Sequence, residues 1–230
     1  NSLMLIYELS KMRFSSRLDP ESMLQAIENI EVFEKAQASG RGILLLMPHL
    51  GCWEFMNVFL KGRTKVSALY DKPNFSGLDD FITSTREKFG ARMFPINIGG
   101  LRQVFKSLER NELCVFLPDQ VPDYGARGFI GTFFGHDAFT SDLVHRVIRR
   151  YDSEIIFGSV VRDFSEGRVK YRICFEKPAD EIYAKDIGVH ISSLNSSLER
   201  LVKKAPEQYQ WSYKRFKRLN KSEKNIYRRQ

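Results

Sequence analysis

The sequence predicts a single α/β domain, residues 1–230, built on a mixed, mainly parallel β-sheet flanked by helices. Three observations predict it. First, short apolar runs recur without a helical period: "ILLLMP" (43–48), "KVSALY" (65–70), "ARMFPI" (91–96) and "ELCVFLP" (112–118). Each is bounded by Gly, Pro, Asn or charged residues, as buried strands are. Second, segments with helical spacing lie between them, at 52–60, 77–89 and 101–110, and strands alternating with helices imply parallel pairing. Third, "EIIFGSVVRD" and "RVKYRICFEK" are joined across "FSEG", which reads as an antiparallel hairpin and makes the sheet mixed.

The remaining elements are read in order. Residues 19–38 predict one helix: Asp19 suits the N-cap, Pro20 the first helical position, and Met23, Leu24, Ile27, Ile30 and Phe33 share a face. Gly40 and Gly42 then break the chain before the first strong strand. "NIGG" opens the helix at 101–110. Residues 119–142 are rich in Gly and turn residues, with "GFIGTFF" as a short strand; irregular stretches of this length inside a domain are usually functional. Thr140 or Ser141 can cap a helix over 142–151, and a last long helix covers 186–204.

Composition narrows the function classes. The three cysteines, Cys52, Cys114 and Cys174, form no CxxC pair, which argues for reduced thiols over a disulfide framework or a zinc knuckle. The net charge is +8, yet residues 214–230 hold eight basic side chains against Glu223 and so carry +7 of it. The body is nearly neutral, and the basic tail reads as a solvated end, a contact for anionic lipid or a nucleic-acid arm. No segment reaches the roughly 20 apolar residues that cross a bilayer.

One motif carries chemistry. "ILLLMPHLGCWEF" ends an apolar strand on Pro48, places His49 directly after it and Glu54 five residues on. Ligand chemistry in α/β sheets collects beyond the carboxyl ends of strands. Residues five apart on one helix point about 140° away from each other, so the two meet only if His49 lies on a turn and Glu54 on the helix that follows. A carboxylate there would hold one imidazole nitrogen and leave the other as a base; the competing reading is a structural polar pair. No GxSxG, GxxxxGK[ST] or GxGxxG occurs, which speaks against a nucleophile elbow and nucleotide sites. His49, Cys52 and Glu54 match no standard zinc spacing, and Cys52 reads as a small packed residue.

"GRGILLLMPHLGCWE" (40–54), "LPDQVPDYGARGFIGTFFGHDAFTS" (117–141) and "PEQYQWSYKRFK" (206–217) together resemble the lipid A biosynthesis (late) acyltransferase family, lauroyl- and myristoyltransferase-like, within the lysophospholipid acyltransferase superfamily. That family shows a histidine–x4–acid box, an Asp-Gln followed by a Gly-rich stretch ending Phe-Phe-Gly, and a C-terminal Trp before a basic Arg-Phe-Lys. The order is the same here. One departure is Cys52, where the box commonly has Asn.

The resemblance implies a glycerol-phosphate-acyltransferase-like fold and an O-acyltransferase that moves an acyl chain from an acyl thioester, on acyl carrier protein or CoA, to a hydroxyl of a lipid A precursor. It implies His49 as general base with Glu54 as its partner. Arg86 in "TREKFGAR", Asp119, Gln120, Arg127 and Gly128 become candidates for substrate binding or oxyanion stabilisation. "FFG" (133–135) is a candidate acyl-channel wall, with core packing as the competing reading. Trp211, Tyr213, Arg215 and Phe216 are expected to be structural or membrane-facing. No metal or other cofactor is implied. The expected setting is the cytoplasmic face of the bacterial inner membrane, with the family's N-terminal anchor expected to be absent from this chain. An acceptor outside lipid A, such as another envelope glycolipid or a phospholipid, is the alternative within the class. A membrane- or nucleic-acid-binding module that uses the basic tail is the alternative outside it.

Overall fold

Strand β2 (Gly42–Leu46) is buried at all five positions and sits near the middle of a seven-stranded sheet. The computed structural model describes residues 2–14, 19–72, 76–122, 125–165, 167–217 and 227. Within these, the helices are α1 (Ser2–Phe14), α2 (Pro20–Met23), α3 (Ile30–Ala38), α4 (Phe55–Leu60), α5 (Ser76–Lys88), α6 (Ile98–Glu109), α7 (Leu143–Arg150) and α8 (Ile187–Lys203). The other strands are β1 (Leu24–Glu28), β3 (Val66–Tyr70), β4 (Ala91–Pro95), β5 (Leu113–Phe116), β6 (Gly128–Phe133), β7 (His136–Ser141), β8 (Ser153–Asp163) and β9 (Lys170–Glu176).

The large sheet runs β1-β9-β8-β2-β5-β3-β4, parallel throughout except for the antiparallel β8–β9 pair. The expected mixed, mainly parallel sheet is therefore present, with the late hairpin as its antiparallel part. Strand β2 shows why its run is apolar on both sides. Leu44 and Leu46 pack with Val104, Phe157 and Leu198 on one face, and Ile43 and Leu45 with Phe55, Phe59 and Phe175 on the other. A strand covered by helices on both faces has no polar side to display.

Two expectations are corrected, the helix over 19–38 and the solvated start of the tail, and two hold, the strand at "GFIGTFF" and Ser141 as an acceptor at the start of α7. The helix over 19–38 is instead one turn (α2), an edge strand (β1) and a shorter helix (α3), with Asn29 left-handed at φ 55° between the last two. Parallel pairing with β9 claims residues 24–28, because an open sheet edge outweighs modest helix propensity.

In the turn-rich stretch, "GFIGTFF" is strand β6, and β7 returns antiparallel to it. The turn is Phe134-Gly135, with φ of 48° and 76°; both residues are left-handed, as a two-residue turn matched to strand twist requires. Phe133 of "FFG" is fully buried in the core, so core packing is the reading that holds for it.

Helix α7 is entered through Asp142, whose side chain caps nothing; the Ser141 hydroxyl accepts from the Leu143 N–H at 3.2 Å. Finally, the basic tail does not begin as a solvated end. Arg215 is 3 % exposed and Phe216 buried, with Arg215 donating to the Phe139 carbonyl and the Thr140 hydroxyl at 2.7 and 2.6 Å. Residues 218–226 and 228–230 of the tail lie outside the described residues.

Helix α1, not anticipated, is tied down by charge. Buried Glu8 accepts from Arg162 at 2.7 and 2.6 Å and from the Tyr171 hydroxyl at 3.1 Å.

The segment after β2 is held by two parts of the chain, β8 and the segment at 208–210. Gly51 bridges to Val160 of β8, Leu50 bridges to Tyr209, and the His49 carbonyl accepts from the Gln210 N–H at 3.1 Å. Gly51 has φ +60°, and a Cβ there would stand 2.0 Å from the Val160 carbonyl oxygen. Both facts exclude a side chain. We predict that Gly51→Ala lowers stability by about 1–3 kcal/mol, read from urea unfolding; an unchanged midpoint would mean the turn can relax.

Candidate active site

Strands β2 and β5 lie side by side in parallel register, with Leu46 opposite Phe116 and the Met47 N–H bonded to the Phe116 carbonyl at 2.9 Å. Each chain then leaves the sheet at the same edge. Counting three residues on from Leu46 and from Phe116 reaches His49 and Asp119, and they meet. Asp119 Oδ1 lies 2.6 Å from His49 Nδ1, and its Oδ2 accepts the His49 backbone N–H at 2.8 Å. One carboxylate thus fixes both the backbone and the ring of the histidine.

This corrects the expected pairing. Glu54 does not hold the imidazole. It stands at the start of α4, after the turn, and accepts two bonds from Arg86 of α5: Nε to Oε2 at 2.9 Å and Nη2 to Oε1 at 2.5 Å. Such a forked pair is the geometry a guanidinium prefers with a carboxylate. A buried Glu54 facing a half-buried Arg86 is a satisfied ion pair, and among the described residues the His49 side chain bonds Asp119 and Gln120 instead.

The electrostatics follow from the placement. Asp119 is 1 % exposed. Burial alone would push its carboxyl up, but the adjacent His49 ring, the two bonds from His49 and the more distant Arg215 hold it below the usual carboxylate range. Burial lowers the affinity of the Arg215 guanidinium for its proton, opposed by the negative charge of Asp119. Burial raises the phenol of Tyr209, and Asp119 beside it adds to the rise. Arg86 is pushed down by burial and more than restored by Glu54.

With Nδ1–H given to a carboxylate, Nε2 carries the imidazole's lone pair. Gln120 Nε2 donates toward it at 3.3 Å, and the Trp53 ring meets the imidazole edge-on at 5.0 Å between centroids. Nε2 opens on a cavity of about 580 Å³. Its floor is apolar, with Met47, Met56, Leu69, Met93, Val115 and Leu101 among the lining, while His49, Glu54, Arg86, Gln120 and Arg127 stand in its wall. A cavity of this size, mainly apolar with few polar groups, suits a largely apolar ligand.

The structure therefore brings His49, Glu54, Arg86, Gln120 and Arg127 to one cavity, with Asp119 directly behind His49. It does not bring Gly128. That residue opens β6 opposite Ser141, where a Cβ would meet the Thr140 carbonyl at 2.5 Å, so its glycine serves the hairpin. Cys52 is wholly buried and its thiol pushed far up by burial, with Glu8 adding to the rise; it is the packed residue expected. The N–H groups of Leu50, Gly51 and Cys52 all bond within the fold, to Pro48, Gln208 and Val160, and are not available to a ligand. Tyr213 is structural as expected: its hydroxyl bonds both the N–H and the carbonyl of Val121. The role of Asp119 as imidazole partner was missed. Its signal was the equal offset of His49 and Asp119 past their two apolar strands.

The profile of the bacterial lipid A biosynthesis acyltransferase family matches residues 2–218. The chain belongs to this family. It is 28% identical over 210 residues to the lipid A biosynthesis palmitoleoyltransferase of Escherichia coli (strain K12), a match covering 87% of the chain and 64% of that protein. It is 26% identical over 195 residues to the lipid A biosynthesis lauroyltransferase of the same organism, covering 82% and 60%. The chain therefore spans less than two thirds of the length of these family members. Among solved structures, the 1-acyl-sn-glycerophosphate acyltransferase PlsC from Thermotoga maritima aligns at 11% identity with a TM-score of 0.48, covering 90% of this chain and 83% of that one.

The depressed Asp119 carboxyl gives a pH prediction with a definite sign. A carboxyl whose folded pKa is lowered contributes stability that is complete above its unfolded value, near 4, and drains away below it. The stability difference between the native chain and Asp119→Asn should shrink as pH falls from about 5 to about 3, measured by urea unfolding at each pH. A difference that stays flat or grows would place the titration elsewhere.

Proposed function

We propose that this chain is an acyltransferase of the lipid A pathway, moving an acyl group from a thioester to a hydroxyl of a lipid A precursor. One observation carries the reading: an imidazole held at Nδ1 by a buried carboxylate lines a mainly apolar cavity of about 580 Å³. A general base needs its lone pair on a reachable nitrogen and a fixed tautomer, and Asp119 supplies the second condition.

In the proposed step, the acceptor hydroxyl displaces the Gln120 amide from Nε2. His49 takes the hydroxyl proton as the oxygen attacks the thioester carbonyl, while Asp119 stabilises the imidazolium. The tetrahedral adduct then expels the thiolate, which takes the proton back from Nε2. Acceptor oxygen and carbonyl carbon are bonded, and the carbon–sulfur bond is broken, with no acyl-enzyme. The charge on the carbonyl oxygen needs a donor. Arg86 spends Nε and Nη2 on Glu54, which leaves Nη1 for the oxyanion and makes Glu54 the residue that positions it. The acyl carrier is acyl carrier protein or CoA, and no cofactor enters the step.

The cavity mouth supports action at a membrane surface. Ile96 and Ile98, on the turn from β4 into α6, line the cavity and are 61 % and 74 % exposed. Apolar side chains held in water at a lipid-substrate entrance fit insertion among acyl chains. Among the described residues no helix is long and apolar enough to cross a membrane. The cytoplasmic leaflet of the inner membrane is the surface proposed.

Transfer of labelled acyl chains from acyl carrier protein to a lipid A precursor tests the reading. His49→Ala should cut turnover by about 10²–10⁴-fold, with the fold intact by circular dichroism. Asp119→Asn should displace the pH–rate limb of the base, whereas Glu54→Gln should lower the rate and leave that limb in place. The opposite pattern would return the orienting role to Glu54. Separately, the double change Ile96→Glu with Ile98→Glu should weaken partition onto anionic vesicles about tenfold or more, measured by sedimentation; equal partition would rule out that edge as the lipid contact.

A further inference from the structure

Two arginines at the cavity mouth are placed in a way the acyl-transfer step does not use. Asp142, at the entry to α7, is 3 % exposed. Its Oδ1 accepts from Arg146 Nε at 2.9 Å, and its Oδ2 lies 3.2 Å from Arg127 Nε. A single buried carboxylate is shared by two guanidiniums through their inner nitrogens. Neither terminal fork has a hydrogen-bond partner among the described residues, and the two side chains remain 77 % and 45 % exposed. Both line the cavity that holds His49. Ser141 lines it too, its oxygen occupied by the Leu143 N–H and its proton free to donate.

This differs from a solvated charge run. Asp142 does not cap its helix; its position is spent on holding two cations of like sign at one lip of a cavity. Two arginines against one aspartate leave a net charge of +1 and, among the described residues, two forks without a partner. The acid Asp71, just past β3, is also among the lining residues. Paired forks are suited to an oxyanion with several equivalent oxygens, and a phosphate matches them better than a carboxylate, which one fork satisfies.

We propose that Arg127 and Arg146, splayed by Asp142, form a phosphate subsite that seats a phosphate ester of a substrate while its apolar chain enters the cavity. The substrate half of this statement rests on the acyltransfer reading above; the anion site itself does not. The phosphate has two sources in that reading, the acceptor lipid or the phosphopantetheine arm of the acyl donor, and both present the same chemistry.

Calorimetric titration of the full chain with octyl phosphate, and with octanol, tests the site without turnover. The native chain should bind octyl phosphate about tenfold or more tighter than octanol. Arg146→Gln and Arg127→Gln should each remove most of that preference, and Arg172→Gln, on β9, should leave it. Because Arg146→Gln strips a partner from a buried carboxylate, Arg146→Lys is the companion variant. It keeps the charge and the fold, and should recover only part of the preference. Equal binding of both ligands by the native chain, or an undiminished preference in both glutamine variants, would overturn the site whatever the enzyme's activity.

Kinetics then assign the source. A rise in KM at nearly constant kcat in Arg146→Lys, confined to the phosphorylated acceptor and lost on its dephosphorylated form, places the acceptor's phosphate there. A rise confined to acyl-CoA or acyl carrier protein, and not seen with acyl-pantetheine lacking phosphate, places the donor's there. Unchanged KM for every substrate would overturn the role in substrate seating. Absence of turnover in the native chain would instead refute the acyltransfer reading and leave the titration to decide the subsite.

Discussion

The carboxylate of Asp119 is the group on which the site is built. It accepts a backbone N–H and a ring nitrogen of the same histidine, and so joins the ends of two adjacent parallel strands. A buried charge is tolerated only when its lone pairs are used. Asp119 meets that condition with bonds that also fix the orientation of the imidazole. Hydrogen bonding and burial here serve one end: a carboxyl held below its normal range, next to a ring whose outer nitrogen is left to the cavity.

Around this bond the molecule is arranged in shells of decreasing rigidity. Strands β2 and β5 are buried on both faces and define the spacing of His49 and Asp119. The turn after β2 is pinned by β8 and by the segment at 208–210. Farther out, the Glu54–Arg86 pair closes one wall of the cavity, and the Arg127–Asp142–Arg146 group forms its lip. Around the cavity, Glu54 and Arg86 neutralise each other in the wall, while at the lip two arginines face one aspartate.

Much of this was legible in the sequence, and what was not has physical reasons. Runs such as "ILLLMP" announce themselves because doubly covered strands must be apolar on both sides. The α8 helix and the β8–β9 hairpin were legible for the same reason, a clear period and clear breakers. Residues 24–28 misled because their apolar spacing satisfies a helix as well as a strand; the open edge of β9 decides, and that edge is thirteen elements of chain order and 146 residues of sequence away at the Asn29–Phe175 bond. Strand β7 was hidden because "HDAFTS" alternates poorly and its turn uses Phe134 in a conformation that favours glycine or asparagine. At the site, five of the side chains that the resemblance picked out line one cavity, but proximity in sequence suggested Glu54 for the place beside the imidazole that Asp119 takes from 70 residues away. Pairing across a parallel sheet follows strand register, which no local spacing reports.

The closure of the histidine turn by residues near the far end of the described chain has a further consequence. Tyr209 bridges to Leu50, Gln210 bonds the His49 carbonyl, and Arg215 brings its charge toward Asp119 from within the core. During synthesis, β2 and β5 can pair long before any of these residues leaves the ribosome. The turn that carries the imidazole is therefore closed only by residues that follow it by about 160 positions in the chain.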